Sequence, residues 1–172
     1  MHRLWALALL ALSACAGILE GVTPVTDFRV DDYLGTWYEI ARLDHSFERG
    51  LDNVTAEYSL RDDGGLTVVN RGYPTEARQW KEAVGKAYFV RGKDEGFLKV
   101  SFFGPFYGSY VVFEIDEEYR HAFVTSYKKS YLWLLSRTPT VEPQVIERFR
   151  QKTKDLGFDS DALIFVDQAP IE

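Results

Sequence analysis

Polar and apolar side chains alternate in short runs along most of this chain. Val54, Ala56, Tyr58 and Leu60 share one face, opposite Thr55, Glu57, Ser59 and Arg61. Leu98, Val100 and Phe102 oppose Lys99 and Ser101, and Tyr131, Trp133, Leu135 and Arg137 fall on one side. A period of two is the mark of a half-buried β-strand. Such runs are predicted at 35–43, 53–61, 66–73, 83–91, 97–103, 109–115, 122–127 and 131–137. Between them lie turn sequences: "DDGG" at 62–65, "GKDEG" at 92–96, "GPFYG" at 104–108 and "DEEYR" at 116–120. Asp and Gly tolerate the positive φ that tight turns need. In the run 109–115 both faces are apolar and the inward one cannot be chosen, as expected for a strand covered by a helix or by another protein copy.

The period changes once. Val145, Ile146, Phe149, Thr153 and Leu156 recur at helical spacing. Thr140 is the predicted cap, Pro143 suits the first turn, and Gly157 offers a left-handed stop. A short strand at 163–166 follows. Eight strands with short connections, one helix and a ninth strand predict an all-β protein: an eight-stranded up-and-down antiparallel barrel with one C-terminal helix.

The N-terminus follows other rules. After Met1, His2 and Arg3 comes an apolar stretch too short to span a bilayer. It ends in "LSACA", which holds the chain's one cysteine, Cys15. A basic start, an apolar centre and small residues describe a secretory signal. "LSAC" resembles the lipobox of bacterial lipoproteins, in which cleavage precedes an acylated cysteine. Cleavage after Ala16 or an uncut anchor are the other options. The expected division is a signal at 1–14, an acylated N-terminus and tether at 15–29, and a barrel domain at 30–172.

Composition narrows the function. The 172 residues carry a formal net charge of -6 without a basic run, which argues against nucleic acid. An aromatic content of 15% supplies a substantial core. The histidines are His2, His45 and His121, and no metal-ligand spacing or nucleophile elbow is found. No catalytic residue, metal or cofactor is expected.

"GTW" at 35–37, "DEEYRHAFV" at 116–124 and "LSRTP" at 135–139 stand in the order and spacing of the lipocalin signature. The chain resembles that family over its whole length after the signal, most nearly the bacterial outer-membrane branch. It departs at Glu117 and Glu118, where many members carry Thr and Asp. The resemblance implies that Trp37 plugs the closed end of the barrel, with Arg137 across its ring and Gly35 admitting a close chain approach. It also implies an apolar cavity, for which the inward candidates are Ala41, Val54, Ala56, Tyr58, Leu98, Val100, Phe102, Tyr131, Trp133 and Leu135, with Tyr107 at the mouth. Tyr107 and Trp133 are the leading contacts. Phe47 falls in the lid loop of that family, and Glu39, Arg42, Asp44, His45 and Arg49 cluster nearby, either solvated or facing a lipid head group. The implied function is storage or transport of fatty acids or lysophospholipids by a lipoprotein of the outer membrane, its domain in the periplasm, with a homodimer possible. A carrier of pigment or another lipophile and a structural envelope protein are the alternatives; haem would need an inward histidine, and neither His45 nor His121 is expected inside.

Overall fold

The computed structural model describes residues 17–74 and 76–171. Eight antiparallel strands follow one another around a closed sheet: β1 (Gly35–Arg42), β2 (Leu51–Leu60), β3 (Leu66–Pro74), β4 (Lys81–Phe89), β5 (Phe97–Phe103), β6 (Phe106–Ile115), β7 (His121–Thr125) and β8 (Leu132–Ser136). Each pairs with the next, and β1 pairs with both β2 and β8, which closes the barrel. Closure leaves few free edges, so backbone polar groups are satisfied within the sheet.

The closure is not uniform. β2 pairs with β1 only along its lower half, Gly35 to Tyr38. Above that point β9 (Ile164–Phe165) pairs with Ala41 and Arg42 instead. The Gln168 amide bridges the divergence, donating to the carbonyls of Glu39 and Val54 at 2.8 and 2.9 Å.

Two apolar layers result. Inside the barrel are Trp37, Tyr58, Leu66, Val68, Ala87, Leu98, Val112, Ala122, Val124 and Leu135. Outside, Val111, Phe113, Phe123, Leu132 and Leu134 pack beneath the helix α2 (Pro143–Asp155) through Phe149. The Phe123 and Phe149 rings meet edge-on at 4.9 Å. The double-apolar strand therefore faces inward through Tyr110 and Val112 and toward the helix layer through Val111 and Phe113.

Three local expectations fail. Thr140 does not cap the helix: its carbonyl accepts the Thr138 hydroxyl, and the helix begins after Glu142 with no side-chain cap. Pro143 at the start makes a capping acceptor less necessary, because one of the orphan donors is already gone. Gly157 does take the left-handed stop, at φ +76°. A one-turn helix, α1 (Val30–Tyr33), was not legible in the pattern. The segment expected to be a plain tether is packed from residue 18 onward: Val22 and Phe28 are buried. Val25 exchanges backbone hydrogen bonds with Val112 and Gly96.

Candidate functional site

The closed end is a stack of aromatic rings. Trp37 is fully buried, and its Nε1 donates to the Tyr33 carbonyl at 2.8 Å. Tyr33 lies 4.9 Å from Trp37, and Phe28 5.0 Å from Tyr33. The Arg137 guanidinium sits 3.9 Å from the Trp37 ring centroid. It also donates to four backbone carbonyls, those of Thr36, Asp32, Leu34 and Tyr119. One planar cation thus ties α1, the start of β1 and the β6–β7 turn together. Gly35 has φ +89°, and a Cβ there would lie 3.6 Å from the Arg137 Nη1. Glycine serves the backbone angle more than the space.

Above this plug the interior changes character. Ala56, Asn70, Val100, Phe102, Tyr110 and Trp133 all point into the barrel by register, yet each is only half-buried. An inward side chain that still meets solvent lines a hollow. Below them Tyr58, Leu66, Val68, Leu98 and Leu135 are buried. The floor of the barrel is packed, while the inward side chains of its upper half keep contact with solvent. At the boundary Tyr110 OH meets Tyr33 OH at 2.6 Å and Tyr58 OH at 2.8 Å. Burial pushes all three phenols above their ordinary range, so the hydroxyls stay protonated.

The β1–β2 loop closes over one side of the mouth. Glu48 Oε2 accepts from Trp133 Nε1 at 2.9 Å and lies 2.9 Å from His45 Nε2. Arg42, buried, donates to Glu39 Oε1 at 2.7 Å and to the carbonyls of Glu48 and Leu51. Burial raises the Glu39 carboxyl well above its usual range, the neighbouring Glu48 charge adds to this, and Arg42 opposes both. For Glu48 burial acts upward too, but hydrogen bonding and charge from His45 outweigh it and leave the group lowered. Rings complete the rim: Tyr131 stacks on Trp133 at 5.9 Å and 8°, with His45, Phe47 and Tyr127 around it.

Several expected site residues lie elsewhere. Ala41 faces the helix layer rather than the cavity, because the β1–β8 register shifts between Glu39 and Ala41 and Arg42 turns inward in its place. Tyr107 is on the outer wall, beside Tyr88 at 6.4 Å and under the Lys99 ammonium at 5.2 Å. β6 begins at Phe106, so the corner is shorter than "GPFYG" suggests and Tyr107 takes a strand position. Tyr58 and Leu135 point inward but belong to the floor. Ala56, Val100, Phe102 and Trp133 point inward and stay half-buried, and Tyr131 stacks on Trp133 at the rim. The charged cluster divides: Glu39, Arg42 and His45 are buried, whereas Asp44 and Arg49 pair with each other in solvent. His45 is the correction there, since it was not expected inside. Tyr110 and Asn70 were missed. Tyr110 lay in the run whose faces could not be told apart, and no pattern marked Asn70. Cys15 lies outside the described residues.

A sealed eight-stranded barrel with an open, largely apolar upper chamber is the architecture of proteins that enclose one small hydrophobic ligand. The chain is a lipocalin: the sequence model of the lipocalin-like domain matches residues 28–168. It is 61% identical over 158 residues to the outer membrane lipoprotein Blc of Vibrio cholerae serotype O1, covering 91% of this chain and 92% of that protein. It is 54% identical to Blc of Escherichia coli strain K12, covering 87% and 84%. Temperature-induced lipocalin-1 of Arabidopsis thaliana is 36% identical, over 81% and 78% of the two chains. Among solved structures, insecticyanin from the tobacco hornworm Manduca sexta shares the fold with a TM-score of 0.70 at 21% identity, covering 89% of this chain and 87% of that one. The chain is thus a lipid-anchored lipocalin of the outer membrane that binds hydrophobic ligands. The family generally carries ligands rather than transforming them.

Proposed function

We propose that the chain stores or carries fatty acids or lysophospholipids, holding the acyl tail in the upper chamber for upkeep of the envelope. The observation that carries this is the set of half-buried inward side chains: Ala56, Val100, Phe102 and Trp133 offer an apolar wall, and Tyr110 and Asn70 are the polar exceptions. An acyl chain gains about 0.8 kcal/mol for each CH2 it buries, so a hollow of this kind favours an extended tail over a compact polar solute. The ionic groups under the lid are already engaged with one another. A charged head group is then left at the mouth, beside Asp44 and Arg49, rather than drawn inside.

Cys15 is the proposed acylation point, with the barrel on the periplasmic side. A single acyl chain holds a protein only reversibly, whereas the multiple chains of a bacterial lipoprotein hold it firmly. Titration of delipidated protein with palmitate and with lysophosphatidylethanolamine, followed by tryptophan emission with Trp133→Phe as the control, tests the ligand class. Saturable quenching or blue shift is expected. Binding no tighter than to an unrelated β-protein rejects it.

A further inference from the structure

The two ends of the barrel differ in the residues they show to solvent. At the closed end the turns carry paired charges: Arg61 with Asp63, Arg91 with Glu95, and Arg120 with Asp116 and Glu118. At the open end the loops carry exposed aromatic rings beside the Asp44–Arg49 pair. Phe47 in the β1–β2 loop is 67% exposed, and Trp80 in the β3–β4 loop is 53% exposed. Phe103 and Phe106, opposite each other at the tip of the β5–β6 hairpin, are 70% and 77% exposed. The other exposed large aromatic among the described residues, Phe165, lies under the Arg150 guanidinium. Phe47 lies beside Tyr131 and Trp80 meets Tyr73 edge-on, yet all four rings stay more than half exposed, on three separate loops at one end.

The path of the N-terminal segment shows what faces them. Gly21 lies beside Leu156 at the C-terminal end of α2, and Gly157 next to it accepts from Lys129 of the β7–β8 loop, which is at the open end. From there the chain runs to the closed end, where Val25 joins Gly96 and Val112, and Arg29 donates to the Tyr119 hydroxyl. The segment therefore descends from mouth to floor, and its upstream side, toward the lipid anchor, is on the side of the mouth. An anchor attached there brings the open end to the bilayer rather than away from it.

We infer that the aromatic rim of Phe47, Trp80, Phe103 and Phe106 docks into the surface of the lipid bilayer, so that an acyl tail passes between membrane and chamber without crossing water. Aromatic side chains settle at the membrane–water interface, where ring and headgroup region match in polarity. Insertion of a few rings adds apolar contact to an anchorage already supplied by the acylated terminus. The inference rests on the proposed lipid-carrier role for its purpose, but the docking itself can be measured without ligand.

The test uses the full-length acylated protein in vesicles of phosphatidylethanolamine and phosphatidylglycerol. An environment-sensitive probe is attached at F106C in one variant and at R120C, on the closed end, in another. The expected result is that brominated lipid quenches the probe at position 106 several-fold more than the one at position 120. Equal quenching at the two positions overturns the inference. So does shielding at position 106 that appears without vesicles as protein concentration rises, which would assign the rim to a second copy of this chain. A second variant, F103S/F106S, is expected to bind palmitate in solution within about twofold of the parent, while transfer from vesicles slows at least tenfold. Unchanged transfer overturns the coupling of rim to chamber. A parent that binds no palmitate but still shows quenching at position 106 would reject the carrier role and leave the docking intact.

Discussion

Arg137→Met is the sharpest test of how the floor is held. The guanidinium makes four hydrogen bonds to carbonyls and covers the Trp37 ring at 3.9 Å. The bonds to Thr36 and Asp32 are at the solvent edge, so water replaces them at little cost. Those to Leu34 and Tyr119 are partly buried, and each is worth about 1 kcal/mol net. The cation over the indole contributes about another 1 kcal/mol. Burial already lowers the Arg137 pKa, which indicates that the charge is partly desolvated rather than idle in water. The sum, about 3 kcal/mol, corresponds to a fall in Tm on the order of 6–12 °C for a domain of this size. Methionine keeps much of the apolar stem, so the loss isolates the fork and its charge. Urea unfolding followed by circular dichroism should show a lower midpoint at constant m-value, with Arg137→Lys intermediate because an ammonium cannot reach all four carbonyls. A loss under 1 kcal/mol for Arg137→Met would refute this reading of the closed end.

The other predictions concern the core, the chamber and the lid. Trp37→Ala removes a fully buried ring and should cost about 3–5 kcal/mol, read by the same unfolding curves. Phe149→Ala, at the centre of the helix layer, should cost a similar amount while leaving the ligand affinity of the folded protein within about threefold, since the two apolar layers are separate. Ala56→Trp should crowd the upper half of the barrel and weaken palmitate binding at least tenfold without lowering Tm by more than a few degrees, because position 56 is inward yet only half-buried. Glu39 gives a pH signature. Its folded pKa is raised, so its favourable contribution is complete below the ordinary carboxyl value of 4.5 and fades as pH climbs through the higher folded value. The stability of Glu39→Gln relative to the parent should accordingly improve from pH 5 to pH 9, about; a flat difference would mean that Arg42 alone governs the site. Glu48 has the opposite sign: its lowered pKa makes a contribution that is present above the ordinary value and lost on acidification.

The barrel was legible because its signals are local and repeated. Alternation in β2 and β5, the Asp-Gly turns and the helical period through Phe149 each act over a few residues and agree with one another. The plug at Trp37 and Arg137 was legible through the family pattern alone, since the two are a hundred residues apart and no periodicity links them. The upper half was harder. Ala41 and Tyr107 went astray for one reason: a register shift in β1 and an earlier start to β6 each move side chains across the sheet, and a slip of one residue reverses a face. His45 was expected in a cluster either solvated or facing a head group, because charge in a loop usually meets water, and Glu48 carried no assignment. The burial of His45 and Glu48 depends on Trp133, which β8 brings from 85 positions beyond Glu48 and which sequence order does not reveal. α1 was hidden for want of length, as four residues cannot display a period.

The central claim is that the upper half of the barrel holds a hydrocarbon tail. Mass spectrometry of lipids extracted from protein purified gently from its own membrane tests it most directly, with Ala56→Trp purified in parallel. The prediction is near-stoichiometric fatty acid or lysophospholipid in the parent and little in the variant. Equal lipid in both, or none in either, would contradict it.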